Sequence, residues 1–231
     1  MSISDISVII PALNEHESIG HVVASMPWQF IAECIVVDNG SMDGTAEIAA
    51  AAGARVITSR RGYGAACMAG SEAALKDSTI LVYMDGDGSD IIADLRRLVA
   101  PIEDNEADFT LGSRILGNRE KGSMLPSQVF AGHLVGRLLR IFQGVRYTDM
   151  GPFRAIRRSS FVHLRMSEMT YGWNLEMQIK AVQHKLRIRE ISVDYRRRIG
   201  GASKVSGNAW ASLKAAVRIL TVLFRTGLFR R

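Results

Sequence analysis

The sequence predicts an α/β fold: a Rossmann-like, mostly parallel sheet flanked by helices, with a basic amphipathic helix at the C-terminus. Apolar runs of strand length alternate with helical stretches through residues 1–110, a pattern typical of parallel strands joined by crossover helices. The 231 residues, 47% hydrophobic and 23% charged, are also enough for a full globular core. We divide the chain into a domain at 1–206 and a helix at 207–231.

The first half of the chain gives the clearest element pattern. Ile19, Val22, Val23 and Met26 stand at the spacing of one helix face. An alanine-rich helix stops before Gly53, in the usual position of a glycine just past a helix end. Strands are predicted at 6–10, 34–37, 56–57, 80–84 and 109–111, and helices at 19–26, 45–52, 65–76 and 91–99, the last ending near Pro101.

The second half is less regular. Ile191, Val193 and Tyr195 alternate with polar residues, as in a half-buried strand. A cationic, glycine-containing loop follows at 196–204. The remaining elements are a loop at 114–125, helices at 127–142 and 173–184, and a strand at 153–156.

The last helix has one polar stripe opposite a broad apolar face. The stripe consists of Lys214, Arg218, Thr221 and Arg225. Three interpretations remain open: packing on the domain's own core, lying in the interface of an anionic membrane, or contact within an oligomer. Trp, Phe and Leu opposed to Lys and Arg is the composition that a membrane interface favours.

Charge is divided sharply along the chain. Residues 1–110 carry a net −11 and residues 111–231 a net +17, which indicates that a basic half faces phosphates, nucleic acid or a lipid surface. Nucleic acid fits poorly, because no reading motif or exposed aromatic interleaving accompanies the charge. Cys34 and Cys67 have no metal or redox spacing. Both are predicted to be small buried apolar residues, and their isolation fits a reducing compartment.

The chain shows neither a secretory signal nor a run approaching the ~18 apolar residues of a spanning helix. We therefore expect a cytoplasmic protein, peripheral on the inner membrane face if the last helix binds lipid.

An acidic motif directly follows the central predicted strand. The apolar run 80–84 ends in Asp85, Asp87 and Asp90, with Gly86 and Gly88 between them. Carboxylate oxygens at the carboxyl end of a strand suit Mg²⁺ or Mn²⁺, especially when a diphosphate supplies further oxygens. The alternative is a solvated turn, since Asp and Gly are ordinary turn residues.

Polar residues follow the other predicted strands as well. Parallel strands end at one edge of a sheet, so these residues are expected to converge there, which unrelated solvated turns have no reason to do. They are Asn14 and Glu15, Asp38, Arg60 and Arg61, Asp85 and Asp87, and Arg114.

Several segments carry a family signature. They are Val8 to Glu15, Val37 to Thr45, Met84 to Asp87, Gly112 to Arg114, Gly151 to Ala155 and the Arg198 to Lys204 loop. Together they closely resemble family 2 glycosyltransferases of the GT-A fold, over about residues 5–206. The later segments resemble the branch that contains dolichyl-phosphate mannosyltransferase and bacterial polyprenyl-phosphate glycosyltransferases.

The resemblance implies roles for the residues of the donor side. Pro11, Asn14, Glu15 and Asp38 would hold the nucleoside, and a carboxylate such as Asp38 can accept a hydrogen bond from a base N–H. Arg61 is assigned to the same nucleotide site. Asp85 and Asp87 would bind the ribose and a divalent metal, Mg²⁺ or Mn²⁺, which neutralises the leaving diphosphate; Asp87 is the first catalytic candidate.

The resemblance also implies an acceptor site. Arg114 resembles the family's acceptor-phosphate arginine, and Arg154, Arg198 and Lys204 are assigned to the same phosphate. A phosphate acceptor is anionic at neutral pH, so it needs no strong base, and direct displacement would invert the anomeric carbon. A hydroxyl acceptor would need a base, for which Glu176 is the candidate; the alternative is that Glu176 is a helix-surface carboxylate.

The expected activity is therefore inverting, metal-dependent transfer of a sugar from GDP-mannose or UDP-glucose to a polyprenyl phosphate. Transfer to a hydroxyl of a soluble or glycan acceptor is the alternative. A sugar-1-phosphate nucleotidyltransferase is disfavoured, because 11–15 is not a glycine-rich loop, and retention of the acidic residues disfavours a non-catalytic module. The Gln/Arg-x-x-Arg-Trp motif of processive synthases is absent, which argues against polymerisation.

The sequence departs from the mannosyltransferases at three places. Tyr63 replaces a common lysine, and Ser89 stands where a glutamine is frequent, with Asp90 able to compensate. Residues 130–133 lack the arginine and asparagine that relatives carry near the lipid phosphate. The nucleotide, the sugar, the acceptor and the oligomeric state therefore stay open.

Overall fold

A computed structural model describes residues 5–125, 129, 132–133, 136–137, 139–141, 144–145, 147–200, 221–222 and 225–226. The strands are β1 (Ile6–Ala12), β2 (Glu33–Asp38), β3 (Arg55–Thr58), β4 (Ile80–Tyr83), β5 (Phe109–Ser113), β6 (Arg154–Arg157) and β7 (Ile188–Ser192). The helices are α1 (Ile19–Ala24), α2 (Thr45–Ala51), α3 (Tyr63–Ala73), α4 (Leu95–Glu103, preceded by a 3₁₀ turn at Ile92–Asp94), α5 (Arg158–Leu164) and α6 (Trp173–Gln183).

The seven strands form one sheet in the order β3-β2-β1-β4-β6-β5-β7. All run in the same direction except β6, which is antiparallel to β4 and β5. The carboxyl ends of β1, β2, β4 and β5 therefore meet at one edge of the sheet. Because β6 is reversed, its amino end lies at that edge too, which brings the segment before Arg154 to the same place.

The core lies on both faces of the sheet and follows from strand periodicity. Ile9 of β1 packs in one cluster, with Trp173 and Tyr83, whereas its neighbours Val8 and Ile10 pack in the other. The rings of Tyr83 and Trp173 meet edge to face, with centroids 6.3 Å apart. Strands that are buried on both faces are typical of a parallel sheet covered by helices, as the sequence predicts.

The cysteines behave as predicted. Cys34 and Cys67 are free and buried, one in each core cluster. Burial and the adjacent carboxylate of Glu33 raise the pKa of the Cys34 thiol to about 12, so it stays protonated at neutral pH.

Helix α4 runs two residues past the proline near which its end was predicted. Pro101 lies inside this helix, which continues to Glu103. A proline cannot donate a backbone N–H, and here the lost bond falls in the last turn of the helix. The carbonyl of Pro101 still accepts the N–H groups of Glu106 and Ala107, both at 2.8 Å, which closes the helix end.

The last strand also begins earlier than predicted. The strand is Ile188–Ser192, and residues from Val193 onward leave the ladder toward the site edge. Tyr195 N–H donates to Asn118 O at 2.9 Å, and Val193 N–H to Ser113 O at 3.2 Å. Helix α5 was not predicted from the sequence.

The described C-terminal positions contact the core. Val222 is 3% exposed and packs in the cluster that contains Trp173. Gln183 Nε2 donates to the carbonyl of Thr226 at 2.8 Å. At these positions the structure supports packing on the domain's own core. Lys214 and Arg218 of the predicted polar stripe, and the predicted boundary after 206, lie outside the described residues. Within the part of the chain that the structure describes, no helix has the length and apolarity needed to span a bilayer.

Candidate active site

The acidic motif forms a tight loop directly after β4. Asp87 Oδ1 accepts the N–H of Ser89 at 2.9 Å, and Asp90 Oδ2 accepts the N–H of Asp85 at 3.1 Å. Gly88 has φ +76°, a conformation that a side chain rarely adopts. This backbone folds the motif back on itself, so that Asp90 reaches the N–H of Asp85.

The carboxylates of the acidic loop repel one another. Burial, followed by the charges of Asp87 and Asp90, raises the pKa of Asp85 well above its ordinary value. Burial likewise raises the pKa of Asp90 to about 7. Asp90 Oδ1 is buried and has no hydrogen-bond partner among the described residues. A bound cation would relieve both the repulsion and the unmet acceptor, so the donor set fits a divalent metal.

Protein ligands alone would not complete such a metal site. In the described ranges, no group of three or more His, Cys, Asp or Glu side chains has the geometry to hold an ion. Two carboxylates would leave most coordination positions to other oxygens, which is how Mg²⁺ is usually bound beside substrate phosphates.

The loops after β1 and β2 bind each other at the same edge. Asn14, in the left-handed conformation at φ 50°, accepts the N–H of Met42 on Oδ1 at 3.0 Å. The N–H of Asn14 donates to Ser41 Oγ at 2.9 Å, and the carboxylate of Asp38 accepts the Ser41 N–H at 3.1 Å. Pro11 is the last residue but one of β1, so the predicted nucleoside residues lie on adjoining strands.

Asn39 is a site residue that sequence reasoning missed. Its Nδ2 donates to Ser59 Oγ at 2.8 Å and to Arg60 O at 2.6 Å, and its Oδ1 accepts the N–H of Gly62 at 2.8 Å. It thereby fixes the loop that carries Arg61, whose side chain approaches Gly40. Its position directly after Asp38 was the one available signal.

Residues 195–200, here called the covering segment, lie across the acidic loop. Ile199 N–H donates to Asp87 O at 3.0 Å, and Arg196 N–H donates to Ser89 O at 3.1 Å. Arg196 Nε donates to Gly88 O at 2.7 Å. A side chain at Gly88 would overlap the end of the Ile199 side chain, which would have to move, and the φ angle of +76° also favours glycine.

Arg198 of the covering segment joins two loops. Its NH2 group lies 3.0 Å from Glu15 Oε2 and 3.8 Å from Asp87 Oδ2. Arg198, which was predicted to bind the acceptor phosphate, is thus held beside two residues that were predicted to bind the donor. It lies 183 positions from Glu15 in the sequence. Lys204 lies outside the described residues.

Arg114 lies just past β5 and is held by a carboxylate. Its Nε and NH2 donate to the two oxygens of Asp149 at 2.7 and 2.8 Å. The guanidinium also lies over the ring of Tyr195, 5.0 Å from the centroid. With 14% of its side chain exposed, Arg114 still reaches the surface of the cleft.

Arg154 does not lie where the sequence prediction put it. The residue is 0% exposed and donates to the carbonyls of Asn174, at 3.0 Å, and Gly151. Strand alternation in β6 turns this side chain into the core, so its contacts are structural and the assignment to the acceptor phosphate is corrected.

Glu176 is buried rather than exposed on a helix surface, so that alternative is wrong. It is 3% exposed and accepts Ser167 Oγ at 2.7 Å, the Glu168 N–H at 2.8 Å and Lys180 Nζ at 2.9 Å. Although burial opposes ionisation, these donors lower the pKa of the Glu176 carboxylate. A base needs a free lone pair, so this arrangement disfavours the predicted role and gives Glu176 a loop-holding one.

A mostly parallel sheet with its polar cleft at the carboxyl edge, entered by an acidic loop, has the architecture of GT-A glycosyltransferases. Residues 7–165 match the family model described as glycosyl transferase family 2. The chain belongs to this family and is a glycosyltransferase, as its sequence motifs predict.

Individual relatives agree with the family. A glycosyltransferase of Mycobacterium tuberculosis is 36% identical over 220 residues, covering 94% of this chain and 97% of the relative. The polyprenol monophosphomannose synthase of Mycolicibacterium smegmatis is 31% identical, covering 87% and 81%. The crystal structure of glucosyl-3-phosphoglycerate synthase from Mycobacterium tuberculosis with phosphoglyceric acid superposes with a TM-score of 0.74 at 25% identity, covering 97% of this chain and 80% of the other.

Proposed function

We propose that this glycosyltransferase moves a hexosyl group from a nucleotide diphosphate sugar, GDP-mannose or UDP-glucose, to a polyprenyl phosphate with inversion. The observation that carries the proposal is the closeness of the carboxylate loop to an arginine. The NH2 group of Arg198 lies 3.8 Å from Asp87 Oδ2 and 3.0 Å from Glu15 Oε2. A site for a cation and a site for an anion therefore adjoin, as transfer between two phosphates requires.

On the donor side, Asp38 offers its carboxylate to the base while Asn14, Glu15 and Pro11 bound the nucleoside. Asp85 and Asp87 would hold a divalent ion, Mg²⁺ or Mn²⁺, and Asp85 would also accept a hydrogen bond from a ribose hydroxyl. When bound, the ion neutralises charge on the leaving diphosphate. Arg61, exposed on the loop that Asn39 fixes, is available to the donor phosphates.

On the acceptor side, Arg114 and Arg198 orient the phosphate through paired N–H donors, with Lys204 as a third cation. A phosphate oxygen then attacks the anomeric carbon from the face opposite the diphosphate. The carbon–oxygen bond to the diphosphate breaks as the new bond forms, so the anomeric configuration inverts. The acceptor is already ionised, so no residue has to remove a proton.

The two kinds of relative favour different acceptors. The name of the polyprenol monophosphomannose synthase supports a polyprenyl acceptor, whereas glucosyl-3-phosphoglycerate synthase is crystallised with phosphoglyceric acid. Transfer to a hydroxyl of a soluble or glycan acceptor is therefore the second candidate. It needs a base, and the occupied hydrogen bonds of Glu176 favour the phosphate acceptor.

Thermal shift with GDP, UDP and dTDP, each with and without Mn²⁺, tests the donor side. We expect one nucleotide to raise Tm by roughly 5–10 °C at a hundredfold excess over Kd, and only when Mn²⁺ is present. Equal shifts without the ion would contradict metal-dependent binding. Transfer of labelled sugar to a short polyprenyl phosphate, compared with phosphoglyceric acid, then decides between the two acceptors.

Substitutions in the last helix test whether the protein binds peripherally at the inner membrane face. Changing Lys214, Arg218 and Arg225 together to Gln should weaken binding to anionic vesicles roughly tenfold or more, since each cation near such a surface contributes about 1 kcal/mol. The control changes the exposed Arg187 and Arg189, which pair with Asp108 and Glu106. Unchanged cosedimentation of the triple variant would leave the helix with the core or with a second subunit.

A further inference from the structure

Arg114 is held by a buried carboxylate that the sequence analysis did not single out. Asp149 is 3% exposed and accepts the backbone N–H of Arg114 at 3.0 Å as well as Nε and NH2 of its side chain. Two parallel side-chain bonds fix the plane of a guanidinium, and the third fixes its backbone relative to the same carboxylate. The orientation of Arg114 thus depends on one residue, 35 positions away in sequence.

Asp149 is itself held on every side. Its N–H donates to Glu190 Oε1 at 3.3 Å, and the same oxygen accepts the N–H and hydroxyl of Thr148 at 2.8 and 3.0 Å. The carbonyl of Asp149 accepts Gln178 Nε2 at 3.0 Å. A carboxylate whose backbone is tied to β7 and α6 has little freedom to follow a moving arginine.

The pairing leaves one end of Arg114 for a ligand. Nε and NH2 point to Asp149, and the ring of Tyr195 covers one face of the guanidinium at 5.0 Å. Among the residues that the structure describes, no acceptor pairs with NH1. Although burial opposes the charge, Arg114 lowers the pKa of Asp149, so this carboxylate is ionised at neutral pH.

We infer that Asp149 is a positioning residue that aims the free end of Arg114 at the acceptor phosphate. The inference rests on the proposed function, in which Arg114 binds that phosphate. It assigns Asp149 no contact with substrate and no proton transfer. Its physical content is orientation: without Asp149 the arginine keeps its charge but loses the geometry that fits the reacting phosphate.

Asp149→Asn separates the orientation of the Arg114 guanidinium from its charge attraction for the acceptor phosphate. The amide is nearly isosteric but cannot accept two strong ionic bonds, and Arg114 stays positive. We expect kcat for polyprenyl phosphate to fall roughly 10- to 100-fold, the loss that misplacement of a reacting group causes. KM for that anionic acceptor should not rise, and donor binding by thermal shift should be unchanged.

Asp108→Asn is the matched control. Asp108 makes a comparable two-bond pair with Arg187, at 2.7 and 3.0 Å, just before the amino end of β5, whereas Arg114 follows the carboxyl end. Each substitution removes one two-bond salt bridge at an end of β5. The Asp149 pair is the more buried, so Asp149→Asn should lose more stability, and the rates are compared at a temperature below both Tm values. The kinetic loss should be confined to Asp149→Asn.

A double-mutant cycle with Arg114→Lys tests whether Asp149 acts through the arginine. Lysine keeps the charge but cannot bind Asp149 in two places, so the double variant should be no slower than Arg114→Lys alone. Multiplied losses would show an independent role for Asp149, and wild-type kcat in Asp149→Asn would show none; either result overturns the inference. A wild-type enzyme that transfers only to a hydroxyl acceptor would instead overturn the proposed function, and the inference with it.

Discussion

Asp87→Asn is expected to reduce sugar transfer by about 100- to 1000-fold, the cost of removing one group that stabilises developing charge at an active site. Asparagine keeps the oxygen that accepts the Ser89 N–H at 2.9 Å, so the loop should keep its shape. It removes the negative charge that Asp85 and Asp87 would jointly offer a divalent ion. Initial rates over a range of Mn²⁺ concentrations measure the effect.

Stability should change in the opposite direction. The charge of Asp87 helps to raise the pKa of Asp85, so the native loop contains repulsion that the amide relieves. We expect Asp87→Asn to unfold at the same temperature as the wild type or higher, in the absence of metal. Asp104→Asn, on an exposed residue after α4, controls for the loss of one charge. Full activity of the Asp87 variant would remove the central role assigned to the acidic loop.

Gly64→Ala is expected to destabilise the fold by about 2 kcal/mol or more. Helix propensity alone predicts the reverse, a gain of about 1 kcal/mol from alanine in a helix. Here, however, a Cβ atom would overlap the backbone carbonyl oxygen of Glu168, which cannot move as a flexible side chain can. Overpacking against backbone therefore outweighs propensity. Thermal or urea unfolding measures the difference.

Glu72→Ala on the exposed side of the same helix is the control, with an expected change within about 0.5 kcal/mol. If Gly64→Ala were stabilising, the contact between α3 and the 168–169 segment would be looser than the structure has it. Glu168 of that segment and its neighbour Ser167 each donate an N–H to Glu176, so the test bears on the loop-holding role of that residue.

Much of the fold was predictable because burial leaves a local pattern. Strands β1, β2, β4 and β5 are short, largely apolar runs that are covered on both faces, so composition alone marks them. Polar residues after those strands were expected to meet, and the bonds joining Asn14 to Ser41 and Met42, and Arg198 to Glu15, show that these loops do meet.

Residue roles that depend on where a side chain points were less predictable. An arginine in a strand faces either the core or the cleft, and a shift of one residue in register exchanges the two. Arg154 was assigned to the acceptor and lies in the core instead. Glu176 was weighed as a base or a surface carboxylate. Besides Lys180 on its own helix, its donors are Ser167 and Glu168, from a segment that no local pattern connects to it.

The sequence by itself determined the α/β class, the acidic loop after β4 and the family, because these depend on hydrophobic periodicity and on short contiguous motifs. Tertiary structure alone decided which residues share the cleft. The reversal of β6 brings Asp149 to the edge where β5 ends at Arg114, and the departure of the chain after β7 lays Tyr195 and Arg198 over the same edge. Strand direction is set by contacts between distant segments, and local sequence carries little record of it.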